Sequence, residues 1–86
     1  MKIFVHKKFI KGYEKLRSGE KKRFKERRNI FLIDPYNPIL NNHALHGKYA
    51  GYRSIDITGN IRVIYRFLGR DAVLFADIGT HPKLYK

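Results

Sequence analysis

Three histidines, an aspartate and an arginine are the residues of this chain best suited to moving protons and holding an anion: His43, His46, His81, Asp56 and Arg62. Imidazole exchanges protons near neutral pH, its ordinary pKa being about 6.5. Guanidinium presents a planar fork of donors that matches phosphate oxygens. The fourth histidine, His6, follows a short apolar segment and reads as ordinary surface. Histidine is also a metal ligand, but the chain has no cysteine and no carboxylate cluster joins His43 and His46. Neither a metal site nor another cofactor is therefore expected.

The elements that must position these groups lie in the last third of the chain. Residues 52–85 read as three successive strands and a short tail, rich in Val, Ile, Tyr and Phe, with turn residues at Thr58-Gly59-Asn60 and at Gly69-Arg70. A three-residue loop over Thr58, Gly59 and Asn60 sets Ile57 opposite Ile61 and Ile55 opposite Val63. One face then carries Ile55, Ile57, Ile61, Val63 and Tyr65, and the other Ser54, Asp56, Arg62, Ile64 and Arg66. A two-residue loop would mix the two sets, because a slip of one residue sends every side chain to the other face. A two-residue turn at Gly69-Arg70 then predicts Leu74, Ala76 and Ile78 on the apolar face, with Val73, Phe75 and Asp77 on the mixed face. Asp77 is expected opposite Arg62, competing with Asp56 for its guanidinium.

Upstream, Met1–Val5 reads as an edge strand that pairs with this sheet, since a lone strand is not stable. Phe9, Ile10, Tyr13 and Leu16 recur at helical spacing over Lys7–Arg17. A second helix is predicted over Gly19–Ile33 with Ser18 as its N-cap, and with Phe24, Phe31 and the stem of Arg27 turned to the first helix. Asp34-Pro35-Tyr36-Asn37-Pro38 ends it, because each proline disfavours helical backbone in the residue before it. A long polar connection with Leu40, Leu45 and Tyr49 as anchors then carries His43, His46 and Lys48 to Gly51; connections of this length are often functional. The expected fold class is α+β in the order β-α-α-β-β-β. A helical hairpin packs on a mostly antiparallel four-stranded sheet, as one domain over residues 1–86.

The net charge is +12 and the pI about 10.2. Residues 1–28 hold 12 Lys and Arg against 3 Glu, while the rest of the chain holds 7 against 4 Asp. So asymmetric a positive field implies a polyanion or an acidic protein as partner. Nothing resembles a signal peptide, and no apolar run approaches the roughly 20 residues that span a bilayer. A cytoplasmic protein with no membrane contact is expected.

Four features occur together: the element order, His43-Ala-Leu-His-Gly47 ahead of Gly51-Tyr-Arg53, the strand Ile61-Arg-Val-Ile-Tyr65, and the ending Ile78-Gly-Thr-His81-Pro-Lys-Leu-Tyr85. Jointly they resemble the RelE/ParE superfamily of bacterial toxins, and within it the YafQ-like branch. The resemblance covers the whole chain in layout and is specific from about His43 to Tyr85. It implies a RelE-like fold and the role of toxin in a type II toxin–antitoxin pair. It also implies a ribosome-dependent endoribonuclease that cuts messenger RNA without metal, with a cognate antitoxin, the ribosome and messenger RNA as partners. His43, His81, Tyr85 and Arg62 match family positions: a histidine before the Gly-Tyr-Arg phrase, the histidine of the Gly-Thr-His ending, a terminal aromatic and a phosphate-contacting arginine. Asp56 stands where YafQ-like toxins carry another histidine, and Asn60-Ile61 stand where they carry an acid followed by tryptophan.

On that resemblance, cleavage needs a base for the 2′-hydroxyl, cations for the crowded phosphate and an acid for the departing 5′-oxygen. His81 is expected as the acid, His43 as base or positioning group, and Arg62 as the phosphate clamp. Asp56 is either a base in the histidine's place or the ion-pair partner of Arg62. Tyr85 either stacks on a splayed base or packs on the core. His46, Lys48, Arg53 and Lys83 are expected to touch RNA near the site, with Arg53 equally readable as framework. Lys21, Lys22, Arg23, Lys25, Arg27 and Arg28 are expected on ribosomal RNA backbone. The alternatives are a ParE-like toxin of the same fold that inhibits DNA gyrase by binding, and a catalytically inactive RNA-binding module.

Overall fold

A computed structural model describes residues 1–84, save the side chain of Lys83; Tyr85 and Lys86 lie outside the described residues. The strands are β1 (Lys2–Val5), β2 (His43–Ala44), β3 (Arg53–Asp56), β4 (Ile61–Phe67) and β5 (Ala72–Thr80), and the helices α1 (Lys7–Glu14), α2 (Ser18–Ile33) and α3 (His81–Leu84). One sheet runs in the order β1-β5-β4-β3-β2. Only β1 pairs in parallel, on β5, and the remaining pairs are antiparallel. The architecture is the expected one with a fifth, two-residue strand, β2, which the connection contributes where His43 pairs with Ser54.

The first hairpin has the expected register, with Ile55 opposite Val63 and Asp56 opposite Arg62. Ile55, Ile57, Ile61, Val63 and Tyr65 are all buried on the face that meets the helices.

The second hairpin differs twice. Leu68 donates to the Ala72 carbonyl, so the loop holds three residues rather than two, with Gly69 at a φ of +79° that glycine tolerates freely. A bulge between Ile64 and Tyr65 then leaves Ala76 unpaired, since Tyr65 faces Phe75 while Ile64 faces Asp77. The first slip turns Val73 and Phe75 into the core, correcting their placement on the mixed face. The second returns Ile78 to the core as expected. Leu74 and Ala76 are consequently half-buried on the open face, and Asp77 lies opposite Ile64 rather than Arg62, whose partner is Gly79.

Phe75 explains why the bulge is worth its unpaired residue. Its ring lies within 6.2 Å, centre to centre, of Phe9, Phe24, Phe31 and Tyr65. Each such aromatic pair contributes about 0.5–1.5 kcal/mol beyond burial alone.

Helix α1 ends at Glu14 instead of Arg17, and Arg17, not Ser18, is the N-cap of α2. Its backbone N–H donates to Glu20 Oε1 at 2.8 Å, so the carboxylate three residues on caps the helix where a Ser18 cap would have faced Lys21. Phe24 and Phe31 are buried as expected. At the other end Asp34 is extended, as the following Pro35 requires.

Where β1 stops, α1 takes over the flank of β5: His6 donates from its backbone N–H to the Phe75 carbonyl, and Gly12 lies against Ile78. A Cβ at Gly12 would collide with the Ile78 carbonyl oxygen, whereas one at Gly19 would meet nothing within 4 Å. Gly12→Ala is therefore expected to destabilise the fold by about 1–3 kcal/mol despite alanine's better helix propensity. Gly19→Ala should leave it unchanged or slightly more stable. Paired urea titrations check this, and equal midpoints for the two variants would refute the close approach.

Candidate active site on the open face of the sheet

Helices α1 and α2 cover one face of the sheet, and the chemistry-bearing residues lie on the other. Residues directly opposite in a ladder share a face, so His43, Ser54, Ile64 and Asp77 form one cross-strand row, and Asp56, Arg62 and Gly79 the next. His81 donates from its backbone N–H to the Asn60 carbonyl at 3.2 Å, extending the β4–β5 ladder by one pair. His43, Asp56, Arg62 and His81 therefore run diagonally from β2 across β3 and β4 to the first residue of α3. The outer steps are diagonal ladder neighbours, about 7–8 Å apart, and the central one is a direct pair. The two histidines thus stand on opposite sides of the Asp56–Arg62 pair.

Arg62 is held from several directions. Its Nε lies 2.8 Å from Asp56 Oδ1, with side-chain exposures of 18% and 25%. That oxygen has no aligned hydrogen bond, so the contact is an ion pair rather than a directed donor–acceptor bond. Arg62 Nη1 donates to the carbonyls of Thr58 and Gly59 at 3.0 and 3.2 Å, while Thr58 Oγ1 accepts from the N–H groups of Asn60 and Ile61. The loop that sets the hairpin register thereby also grips the guanidinium. Asp77 takes no part, contrary to the expected competition.

Asn41 and Asn42 place His43, and neither stood out in the sequence. Asn41 is the one non-glycine among the described residues with positive φ (+47°), a conformation that asparagine tolerates better than most residues. Its carbonyl oxygen lies 2.8 Å from His43 Nδ1, and a carbonyl can only accept; Nδ1 therefore carries the proton, and neutral His43 presents the lone pair of Nε2. Asn41 Nδ2 also donates to Asp56 Oδ2 at 3.4 Å. Asn42 Nδ2 donates to Tyr65 Oη at 2.6 Å and to the Pro35 carbonyl at 2.8 Å, and its Oδ1 accepts from Arg53 Nε at 2.7 Å. Arg53 in turn lies 5.4 Å from the centre of the Tyr36 ring. Arg53 is thus engaged in framework contacts. The one available signal was the Asn41-Asn42 pair itself, since asparagine suits left-handed turns and local hydrogen bonding.

The other predicted residues scatter. Arg27 donates through Nε to the Ile57 carbonyl at 3.4 Å, and Arg23 and Arg27 line a cleft of about 200 Å3 with Asp56, Thr58 and Gly59. These two cations reach round the end of the sheet to the site. Lys21 lies over Tyr13 and Arg28 over Phe24, on the helical side, and Lys22 and Lys25 are exposed there. His46 is exposed at the start of a 3-10 turn over Gly47–Tyr49, and Lys48 lies over the Tyr49 ring. The side chain of Lys83 and all of Tyr85 fall outside the described residues. Ile64, assigned to the mixed face, is buried there, and Leu84 of α3 packs beside Gly79. Among the described residues no three His, Asp or Glu side chains gather as a metal site, and no helix is long and apolar enough to cross a membrane.

The family model described as bacterial toxin of type II toxin-antitoxin system, YafQ, matches residues 1–86. Similar solved structures include YafQ from E. coli strain BL21(DE3), at 18% identity and a TM-score of 0.83, covering 98% of this chain and 97% of that one. The YoeB/ParE toxin from Agrobacterium tumefaciens aligns at 21% identity and 0.81, over 94% and 99%. The toxin of the E. coli DinJ–YafQ toxin–antitoxin complex aligns at 20% and 0.78, over 98% and 96%. These likenesses establish the shared fold. No curated protein matches the chain in sequence.

Burial raises the Tyr65 phenol above its ordinary 10.0, although the Asn42 hydrogen bond and the Arg53 charge oppose the shift. A group whose folded pKa is raised keeps its proton in the folded state after the unfolded chain has lost it. Its contribution to stability is therefore complete below pH 10 and declines as pH rises through the folded pKa. Tyr65→Phe should flatten that alkaline decline, read from urea midpoints at stepped pH. An unchanged slope would refute the buried phenol as its source.

Proposed function

We propose that this chain, which belongs to the YafQ family of bacterial type II toxins, cuts messenger RNA on the ribosome by acid–base chemistry and is held in check by a cognate antitoxin. The observation that carries the reading is the diagonal of His43, Asp56, Arg62 and His81 on the open face, with Arg62 already oriented at its centre. A scissile phosphate seated at Arg62 lies one diagonal step from His81. The attacking 2′-oxygen bonds to phosphorus, the bond to the 5′-oxygen breaks, and His81 protonates that leaving oxygen. His43, through Nε2, takes the 2′-proton or positions the neighbouring nucleotide. Asp56, paired with Arg62 and bonded to Asn41, orients the guanidinium rather than serving as base. The products are a 2′,3′-cyclic phosphate and a 5′-hydroxyl end.

The basic helices support a separate contact. Lys22 and Lys25 are exposed on α2, where they suit salt-sensitive attraction to ribosomal RNA backbone, while Arg23 and Arg27 continue the positive surface toward Asp56 and Thr58. Tyr85 and Lys83 remain candidates for stacking and backbone contact. The antitoxin is proposed by analogy with the DinJ–YafQ assembly.

One observation favours a second reading, a ParE-like toxin that acts by binding gyrase. Nε and Nη1 of Arg62 are committed to Asp56 and the loop carbonyls, so less of its fork is left for phosphate.

Primer extension on a reporter message in a purified translation system separates the two. Cuts should appear only on translated message, and His81→Gln should slow them about 100- to 10,000-fold, the range of one general acid. Growth arrest without any cuts, undiminished in His81→Gln, would overturn the nuclease in favour of binding.

A further inference from the structure

A cleft of about 340 Å3 opens on the same face as the diagonal, within the size of small-ligand sites. Ile64, Leu74 and Ala76 are its aliphatic lining, Tyr49 and Tyr52 its aromatic lining, and Lys8 and Lys48 bring positive charge to it. Asp77 is its one carboxylate. The bulge at Ala76 places it there, in the same cross-strand row as His43. Asp77 Oδ1 accepts from the Ile78 N–H at 2.9 Å, which fixes the carboxylate's orientation, and the group makes no ion pair with another described residue.

An apolar slot walled by tyrosine suits a flat aromatic ring, and flanking lysines suit the phosphate attached to it. The carboxylate decides which ring. Ionised, it is acceptor-only, so it rewards adjacent donors and repels acceptors. Adenine and cytosine place a ring-nitrogen acceptor beside their amino group on the pairing edge. Uracil flanks its single N–H with two carbonyls. Guanine alone offers two neighbouring donors, N1–H and the N2 amino group.

We propose that this cleft is a guanine site, in which Asp77 accepts from N1–H and N2–H, Tyr52 stacks on the base, and Lys8 and Lys48 attract its phosphate. This deepens the nuclease reading, on which the guanine belongs to the message beside the cut.

The test measures binding rather than cutting, so that either proposal can fail alone. GMP, AMP, CMP, UMP and IMP are titrated into 15N-labelled protein and followed by amide shifts. GMP should bind about tenfold more tightly than AMP, CMP and UMP, the discrimination expected of one paired contact. Its shifts should centre on Tyr52, Ile64, Ala76 and Asp77. IMP, which lacks the N2 amino group, should bind more weakly than GMP. Asp77→Asn keeps an oxygen for the Ile78 N–H, so it should fold normally and lose the guanine preference. Equal affinities for the five nucleotides, shifts centred elsewhere, a preference intact in Asp77→Asn, or no binding at millimolar concentration would each overturn the site. GMP bound here by a protein that never cuts message would leave the site standing and the nuclease refuted.

Discussion

One extra residue in β5 is the constraint on which the rest of the molecule depends. Phe75 must turn to the helices, because four aromatic rings meet it there, and Ile78 must turn the same way to close the core over Val63. Two residues separate them, and regular alternation would put them on opposite faces. The bulge at Ala76 reconciles the two demands, at the loss of one ladder pairing. Its consequence on the other face is chemical: Ala76 and Asp77 come up side by side, and a carboxylate enters a row that begins at His43.

The short β1 has a comparable effect. Because it pairs only as far as Phe75, the second half of β5 is left for α1 to flank, and the absence of a side chain at Gly12 lets the helix come close. Brought to the edge of the sheet, α1 serves both faces. Phe9 goes to the core, while Lys8 reaches the open-face cleft. The charge concentrated in the first third of the chain is thereby divided. Some of it lies along the helices, and some lies where an anion entering the site would meet it.

The candidate site is held by polar contacts that order a connection with little regular structure of its own. Leu40 anchors it in the core, Asn42 ties it to Tyr65, Pro35 and Arg53, and Asn41 turns the chain so that its carbonyl meets His43. A buried polar group left without a partner costs about 1–3 kcal/mol. Asn42, bonded to the buried Tyr65, therefore confines the loop to few conformations, and with it His43. Asp56 and the Thr58–Gly59 carbonyls do the same for Arg62.

By itself the sequence determined the element order, the first hairpin and the face that carries Asp56 and Arg62. Turn chemistry and two-residue alternation act over a few neighbouring residues, and Ile55 to Tyr65 satisfy both at once. It placed Asp56 opposite Arg62 for the same reason, since a hairpin's register follows from its own loop, while the tertiary structure decided the ion pair between them and left Asp77 out of it. It also carried the family through the joint pattern around His43, Arg62 and His81. Tertiary structure alone decided the three-residue loop that turns Val73 and Phe75 toward distant rings, and the bulge that then sets Asp77 on the open face. It alone joined β2 to the sheet, enlisted Asn41 and Asn42, and separated Arg23 and Arg27 from the other helical cations. Those outcomes depend on contacts between residues distant in the chain, Phe9 and Phe75 among them, where packing and hydrogen-bond satisfaction overrule local preference.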